Sequence, residues 1–226
     1  MANLLKIFIA PGAVFSTMKD EVPIIQPLLA LILCVGVFSA IQPLFVSDSS
    51  KMTQEVLEFA FETLSEQGLD VGNPERYSWN RTTQVFVAPV SALIWLCVGV
   101  LILSTYFQVT GNSSEVRRSW PEWFGFTLWS MMPLALYYFL FAFATLVTGE
   151  ISPKQYLTPL AWVPGMQDNA FAVHITFGTL WAVWIQTVGL HHWTERTYPI
   201  CLIIVLVPWL LQLLIATSLM TTFSTI

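Results

Sequence analysis

The sequence is poor in charged residues. Only 10% of its 226 residues are Asp, Glu, Lys or Arg, while 55% are hydrophobic. A soluble domain averages about 25% charged residues, so the deficit is too large for a surface that faces water. The composition therefore predicts a single integral membrane domain over residues 1–226, surrounded by membrane lipids.

The sequence also lacks the signals of several function classes. Its net charge of −5 argues against nucleic-acid binding, which needs a basic face. It contains no G-x-S-x-G, H-E-x-x-H or glycine-rich phosphate motif, which would indicate particular enzyme classes. Cysteines are few, and Cys34, Cys97 and Cys201 lie in apolar runs, where we interpret them as packing residues. We expect no cofactor, metal or catalytic residue.

Long apolar runs are what the sequence has in abundance. About 20 apolar residues cross the hydrocarbon core as a helix. Five runs are long enough, at about residues 22–47, 84–108, 124–148, 170–190 and 199–222. The predicted fold class is all-α, a polytopic membrane bundle of five transmembrane helices. None of the five runs contains Lys, Arg, Asp or Glu, which argues against a pump, a proton-coupled carrier or a charge-selective channel.

Prolines and a short corner shape these predicted spans. Pro133 predicts a bend in the third span, and Pro208 lies in the middle of the fifth. Proline has no backbone N–H, so it frees a carbonyl one turn earlier unless a neighbouring group satisfies it. The corner at residues 191–198 is too short to be a domain, so we expect the fourth and fifth spans to lie side by side and antiparallel.

Two segments outside the spans are amphipathic. Residues 2–21 predict an interfacial helix in the headgroup layer, and the alternative is a lead-in that packs on the bundle. Residues 51–67 predict one extramembrane helix with an acidic face. Because anionic lipid attracts basic residues, we expect this helix to cover the span ends or to meet a partner. Trp120 and Trp123 are interpreted as aromatic residues of the membrane interface.

Basic residues near the span ends predict the orientation. Five spans place the termini on opposite faces of the membrane. The face of the N-terminus carries five basic residues: Lys6, Lys19, Arg117, Arg118 and Arg196. The other face carries four, spread over longer segments: Lys51, Arg76, Arg81 and Lys154. Lys and Arg close to span ends favour the cytoplasm, which predicts a cytoplasmic N-terminus and a C-terminus on the opposite side.

Three polar residues inside the spans form the first candidate site. Gln186 and Gln212 are mid-span amides, and His174 lies one turn into the fourth span. Such side chains usually form hydrogen bonds between helices, which is the preferred interpretation. The alternative is a polar intramembrane site for a lipid headgroup or a small solute.

The corner holds the second candidate site, the cluster of His191, His192 and Glu195. On a continuing helix His191 and Glu195 would share a face at i, i+4 spacing, as metal ligands often do. Polar residues are also common at a membrane surface because water is present there. Anchoring at the interface is therefore the preferred interpretation, and metal binding or catalysis is the alternative.

Three short stretches carry a resemblance to a known family. They are Phe8-Ile-Ala-Pro11 followed by Val14-Phe15 and Pro23, then Phe126 to Pro133, and finally Trp181 to Leu190 followed by the corner and Pro208. In this order they resemble the Yip family, the Ypt/Rab-interacting multi-spanning membrane proteins, over nearly the whole chain. The resemblance implies a non-enzymatic domain of five membrane helices with a cytosolic N-terminus. Eukaryotic members are linked to vesicle traffic and membrane shaping. The chain lacks their Asp-Leu-Tyr-Gly-Pro motif and is similar to a short prokaryotic member, which implies the bacterial inner membrane.

Three functional hypotheses follow from these observations. The first is a non-catalytic scaffold, or a membrane-organising or trafficking-type factor, that forms homo-oligomers or binds other membrane proteins. The second is a carrier or channel for a neutral small solute or lipid that uses Gln186 and Gln212. The third is an enzyme that uses the corner cluster.

Overall fold

The computed structural model describes residues 2–18, 21–45, 81–113, 116–148, 158–163 and 175–224. These residues form helices, and no strand occurs among them, which agrees with the all-α prediction. The α-helices are α1 (Ala2–Ile9), α2 (Pro11–Thr17), α3 (Ile25–Phe45), α4 (Arg81–Gly111), α5 (Trp120–Ser130), α6 (Met132–Thr148), α7 (Phe177–Thr194) and α8 (Tyr198–Ser224), and a 3-10 turn covers Pro159–Trp162.

Within the described ranges, three helical stretches are long and apolar enough to cross a membrane. They are Thr83–Gly111, Trp120–Val147 and Tyr198–Ile215, and Ile25–Ile41 is apolar but shorter. Each of the five predicted spans overlaps a described helix. In the fourth span only the later part does so, where α7 begins. The count of five crossing helices stays a prediction. The helix predicted at residues 51–67 lies outside the described residues.

The third predicted span is bent where its proline lies. The backbone N–H of Met131 donates to the carbonyl of Thr127 at 3.0 Å and ends α5. Pro133 is the second residue of α6 and cannot donate to the carbonyl of Trp129. The bend predicted at Pro133 is therefore confirmed, and α5 and α6 are two halves of one apolar stretch.

The helices pack in two connected groups. Helix α3 packs mainly on α4 and α6, whereas α7 packs on α8, α2 and α6. Only residues 195–197 separate α7 from α8, so their contact makes an antiparallel pair, as the short corner predicted. Helices α3, α4, α6, α7 and α8 each also leave an apolar side exposed, which suits a surface that faces lipid.

The N-terminal helices pack on the bundle through their inner face. Ile7 and Phe15 are fully buried, and the Phe8 ring contacts the Trp181 ring at 5.4 Å between centroids. On the outer face Leu5 and Ile9 are 73% and 84% exposed. The inner face of residues 2–18 therefore fits the alternative interpretation, a lead-in that packs on the bundle. Placement of the outer face in the headgroup layer stays a prediction.

Candidate functional site

Three segments that are distant in sequence meet at one end of the bundle. The guanidinium Nη1 of Arg196 donates to the carbonyl of Thr110, near the end of α4, at 2.6 Å. The Arg118 guanidinium lies 4.3 Å above the Trp193 ring, and the Trp193 Nε1 donates to the carbonyl of Phe15 at 3.1 Å. We call this end, where α2, the α4–α5 connection and the α7–α8 connection meet, the corner end.

A cluster of aromatic rings fills the corner end. Trp193 lies 5.4 Å from Trp123 and 5.0 Å from Phe126, and Phe126 lies 5.1 Å from Phe15 and 5.2 Å from Phe107, all between ring centroids. All five rings are essentially inaccessible. Such ring pairs contribute about 0.5–1.5 kcal/mol each beyond the area they bury. The cluster therefore joins α2, α4, α5 and α7 into one unit.

The interpretation of Trp123 as an interface residue is wrong. Its side chain is buried, and its Nε1 donates to the Asn112 Oδ1 at 3.0 Å. The same Asn112 oxygen accepts from the backbone N–H of Arg118 at 3.1 Å. A tryptophan close to a span end suits an interface or a buried polar partner equally well, and the described structure supplies the buried partner. Trp120 is only partly buried.

The connection between α4 and α5 is held by its own polar groups. The carboxylate of Glu122 accepts from the backbone N–H of Ser119 at 2.7 Å and from the Arg118 Nη1 at 3.1 Å. This capping arrangement satisfies N–H groups that the first turn of a helix leaves unpaired. Arg118, one of the basic residues that predicted the orientation, is thus tied into the fold, whereas Arg117 is exposed.

The corner cluster does not form a metal site in the described structure. Glu195 ends α7 in the left-handed conformation, with φ of 58°, so the helix does not continue as the i, i+4 spacing required. The His191 Nδ1 lies 2.6 Å from the carbonyl of Arg196, and its ring stacks on Tyr198 at 4.0 Å. His192 lies against Gly12. Among the described residues no three His, Cys, Asp or Glu side chains come together as metal ligands could.

The predicted polar intramembrane site is only partly brought together. Gln186 is fully buried, and its Oε1 accepts from the Trp209 Nε1 on α8 at 2.8 Å. Because the indole can only donate, this contact sets the orientation of the amide, and the Gln186 Nε2 has no partner within the described part of the chain. Gln212 is exposed and takes no part, and His174 lies outside the described residues.

A second polar contact between helices lies beside the first. The Tyr106 hydroxyl on α4 donates to the carbonyl of Ile204 on α8 at 2.8 Å. In a regular helix that carbonyl would accept from residue 208, which is Pro208 and has no N–H. Sequence reasoning identified the freed carbonyl but not its donor. The hydroxyl of a tyrosine within a span was the signal that could have suggested Tyr106.

The three cysteines are free thiols in different environments. Cys201 is buried, Cys34 is partly buried and Cys97 is exposed on α4. Cys97 also lines a cavity of about 180 Å³ between α3, α4 and α5, whose other lining residues are all aliphatic or aromatic. The interpretation as packing residues suits Cys201 and the partly buried Cys34, whereas Cys97 lies at the surface of the bundle.

Comparison with known proteins identifies a family. The family model for the Yip1 domain matches residues 5–220, nearly the whole chain. No curated protein and no solved structure matches.

Proposed function

This chain belongs to the Yip1 domain family, and on that premise we propose that it is a non-catalytic membrane scaffold. It organises other membrane components through contacts of its helices with a second copy or with other membrane proteins. We place it in the bacterial inner membrane with the N-terminus in the cytoplasm. The resemblance to short members of the family and the distribution of basic residues support this placement.

The interior of the described bundle favours a scaffold over a carrier. Gln186 is held by Trp209, Gln212 is exposed, and the cavity beside Cys97 has an apolar lining. A path for a neutral solute needs hydrogen-bonding groups along a hydrated route. The two amides proposed for such a route do not share a site, so the contacts that matter most are on the outside of the bundle.

One face of α4 carries this proposal, because its composition suits a partner helix better than lipid. Ser91, Trp95 and Gly99 follow each other at i, i+4 spacing and therefore share a face. All three are exposed, Trp95 by 75%, and a side chain added at Gly99 would meet nothing within 4 Å. Tryptophan in membranes concentrates at the two interfaces, yet Trp95 lies near the middle of the stretch Thr83–Gly111.

Small residues beside a large one are typical of helix contacts in membranes. Glycine and serine let two helix backbones approach closely, and tryptophan is enriched among the residues that dominate binding energy at interfaces. We therefore name Ser91, Trp95 and Gly99 the partner face and assign to it the contact through which the scaffold acts.

The test is crosslinking in native membranes before any detergent is added. The full chain with Trp95 replaced by a photoreactive amino acid is irradiated, and its crosslinked species are identified by mass spectrometry. We expect one defined adduct, with a second copy or with one membrane protein. Gly99→Leu should reduce this adduct about tenfold, because added bulk separates the two backbones.

Val90→Leu is the matched control. Val90 is an exposed residue of α4 that lies nine residues from Gly99 and therefore on the opposite side of the helix. It should leave the adduct unchanged. Crosslinks to lipid alone, or equal losses in both variants, would contradict the scaffold proposal.

A further inference from the structure

The cavity between α3, α4 and α5 opens to the outside of the bundle. Its volume is about 180 Å³. Cys97 and Leu101, two of the α4 residues on its rim, are exposed. The lining consists of Leu28, Ile32, Leu96, Cys97, Val100, Leu101, Phe124 and Leu128. On α4 these residues lie on the side opposite the partner face, so the cavity is independent of the scaffold proposal.

The depth of the cavity follows from the positions of its residues along two helices. Phe124 and Leu128 come four and eight residues after Trp120, the first residue of α5. At about 1.5 Å per residue they lie roughly 6 and 12 Å from that end of the helix. The hydrocarbon of one leaflet is about 15 Å deep. In the five-span topology this depth corresponds to the leaflet next to the corner end.

A polar pair of side chains marks the limit of the cavity toward the corner end. The Trp120 Nε1 donates to the Thr105 Oγ1 at 3.2 Å, and the Trp120 ring stacks on Phe124 at 5.2 Å. Thr105 lies one turn beyond Leu101 on α4, and Trp120 lies one turn before Phe124 on α5. A partly exposed tryptophan is typical of the level where acyl chains give way to the glycerol region.

We propose that this cavity binds one acyl chain of a phospholipid from the leaflet next to the corner end. The lining offers water no hydrogen bonds, and an apolar cavity of about 150 Å³ is already large enough to stay dry and bind benzene. An empty cavity leaves its lining without contacts on one side. A whole partner helix, at about 10 Å in diameter, is too wide for the cavity. A single acyl chain is narrower, and acyl chains are the medium at the opening of a cavity that faces lipid.

The experiment places the full chain in nanodiscs of phosphatidylethanolamine and phosphatidylglycerol. A trace of phosphatidylglycerol with a diazirine in its acyl chain is added, and the sites of photolabelling are mapped by mass spectrometry. We expect labelling to concentrate on Cys97, Leu101 and Phe124 and to exceed that of Ile94 and Ile203, two exposed residues outside the cavity.

Two variants of adjacent residues test whether the photolabelling depends on the cavity itself. Leu101→Trp fills the cavity and should lower labelling of Cys97 and Phe124 about tenfold, because several buried methylene groups of the lipid chain lose their contacts. Ile102→Trp adds the same bulk to an exposed residue outside the lining and should leave labelling unchanged. Labelling that is uniform over all exposed residues, or equal in both variants, overturns the proposal.

A measurement on the unmodified chain does not depend on how the variants fold. N-ethylmaleimide should react with Cys97 several-fold faster after lipid is removed with detergent than in nanodiscs, while buried Cys201 serves as the internal reference. A rate at Cys97 that does not respond to lipid removal overturns the proposal. Crosslinks between two copies through Cys97 would do the same and would identify a second copy as the occupant.

Discussion

Pro208 shows how a residue on one helix compensates for a defect in another. Its missing N–H frees the carbonyl of Ile204 inside an apolar region, where an unpaired carbonyl is costly. The Tyr106 hydroxyl satisfies that carbonyl from α4 at 2.8 Å. One residue along from the proline, Trp209 is bonded to Gln186 on α7. The proline region of α8 is therefore tied to two neighbouring helices by side chains.

Tyr106→Phe should destabilise the protein by about 1 kcal/mol, the usual size of a hydrogen bond between membrane helices. The measurement is thermal unfolding in detergent. Tyr198→Phe is the control, because Tyr198 is an exposed residue whose ring, rather than its hydroxyl, contacts His191.

Tyr106→Phe should lower the free energy of unfolding much less in a Pro208→Ala background. Alanine restores the backbone donor, and the Ile204 carbonyl then accepts from its own helix. Equal losses in the two backgrounds would show that the Tyr106 hydroxyl does not act through this carbonyl.

At this scale the sequence predicts which polar residues are in the spans but not which way they point. Gln186 and Gln212 have the same mid-span setting, yet one is buried and the other exposed. In a helix that is apolar on every side, no hydrophobic stripe reveals the inner face. The pairing of Gln186 with Trp209 depends on how α7 and α8 are rotated against each other, and that is decided by packing.

At the scale of elements, α2 packs closely on α7 at Gly189. A Cβ atom added at Gly189 would lie 2.6 Å from the Phe15 Cε2 and 2.8 Å from the Phe126 Cε2. Both rings belong to the aromatic cluster and are fully buried, so neither can move without disturbing other rings. Gly189 therefore sets the distance at which the N-terminal segment packs on α7.

Gly189→Ala should destabilise the protein by about 1–3 kcal/mol, the usual cost of adding a group to a packed core. Gly99→Ala is the matched control, because nothing lies within 4 Å of its Cβ position and alanine favours a helix by about 1 kcal/mol over glycine. Thermal unfolding in detergent measures both.

Tryptic cleavage after the exposed Lys6 should also become faster in Gly189→Ala, since loosened packing would release the N-terminal helices. A variant as stable as the parent would mean that the two rings yield easily and that Gly189 does not fix the spacing.

The positions of the helices along the sequence were more predictable than which face of each helix is buried. The bend before Pro133 and the antiparallel pair around the corner both follow from local chemistry, namely a missing N–H and a short connection. The packed inner face of α1 and α2 could not be separated from a membrane-bound face, because both require the same apolar residues at helical spacing.

For the whole molecule, the corner end brings together segments that the five-span topology assigns to one side of the membrane. Contacts of Trp193 with Phe15 and with Arg118 join the N-terminal segment, the α4–α5 connection and the corner. The predicted odd number of spans would then place the C-terminus on the other side.

Labels in sealed vesicles test this topology. In a background without native cysteines, a tag at the N-terminus and a cysteine introduced by Arg117→Cys should be accessible from the same face. A tag at the C-terminus should be accessible only from the opposite face. Access to both termini from a single face would contradict the five-span fold.

The hydrogen bond from Trp193 to Phe15 joins residues 178 positions apart, and this has a consequence for biosynthesis. Phe15 leaves the ribosome early, but its partner is made only when most of the chain has already been translated. Until then α2 lacks its contacts with α7, and of the ring partners described for Phe15 only Phe126 of α5 has been made. The contact between α2 and α7 therefore forms late, after the chain has been translated as far as Trp193.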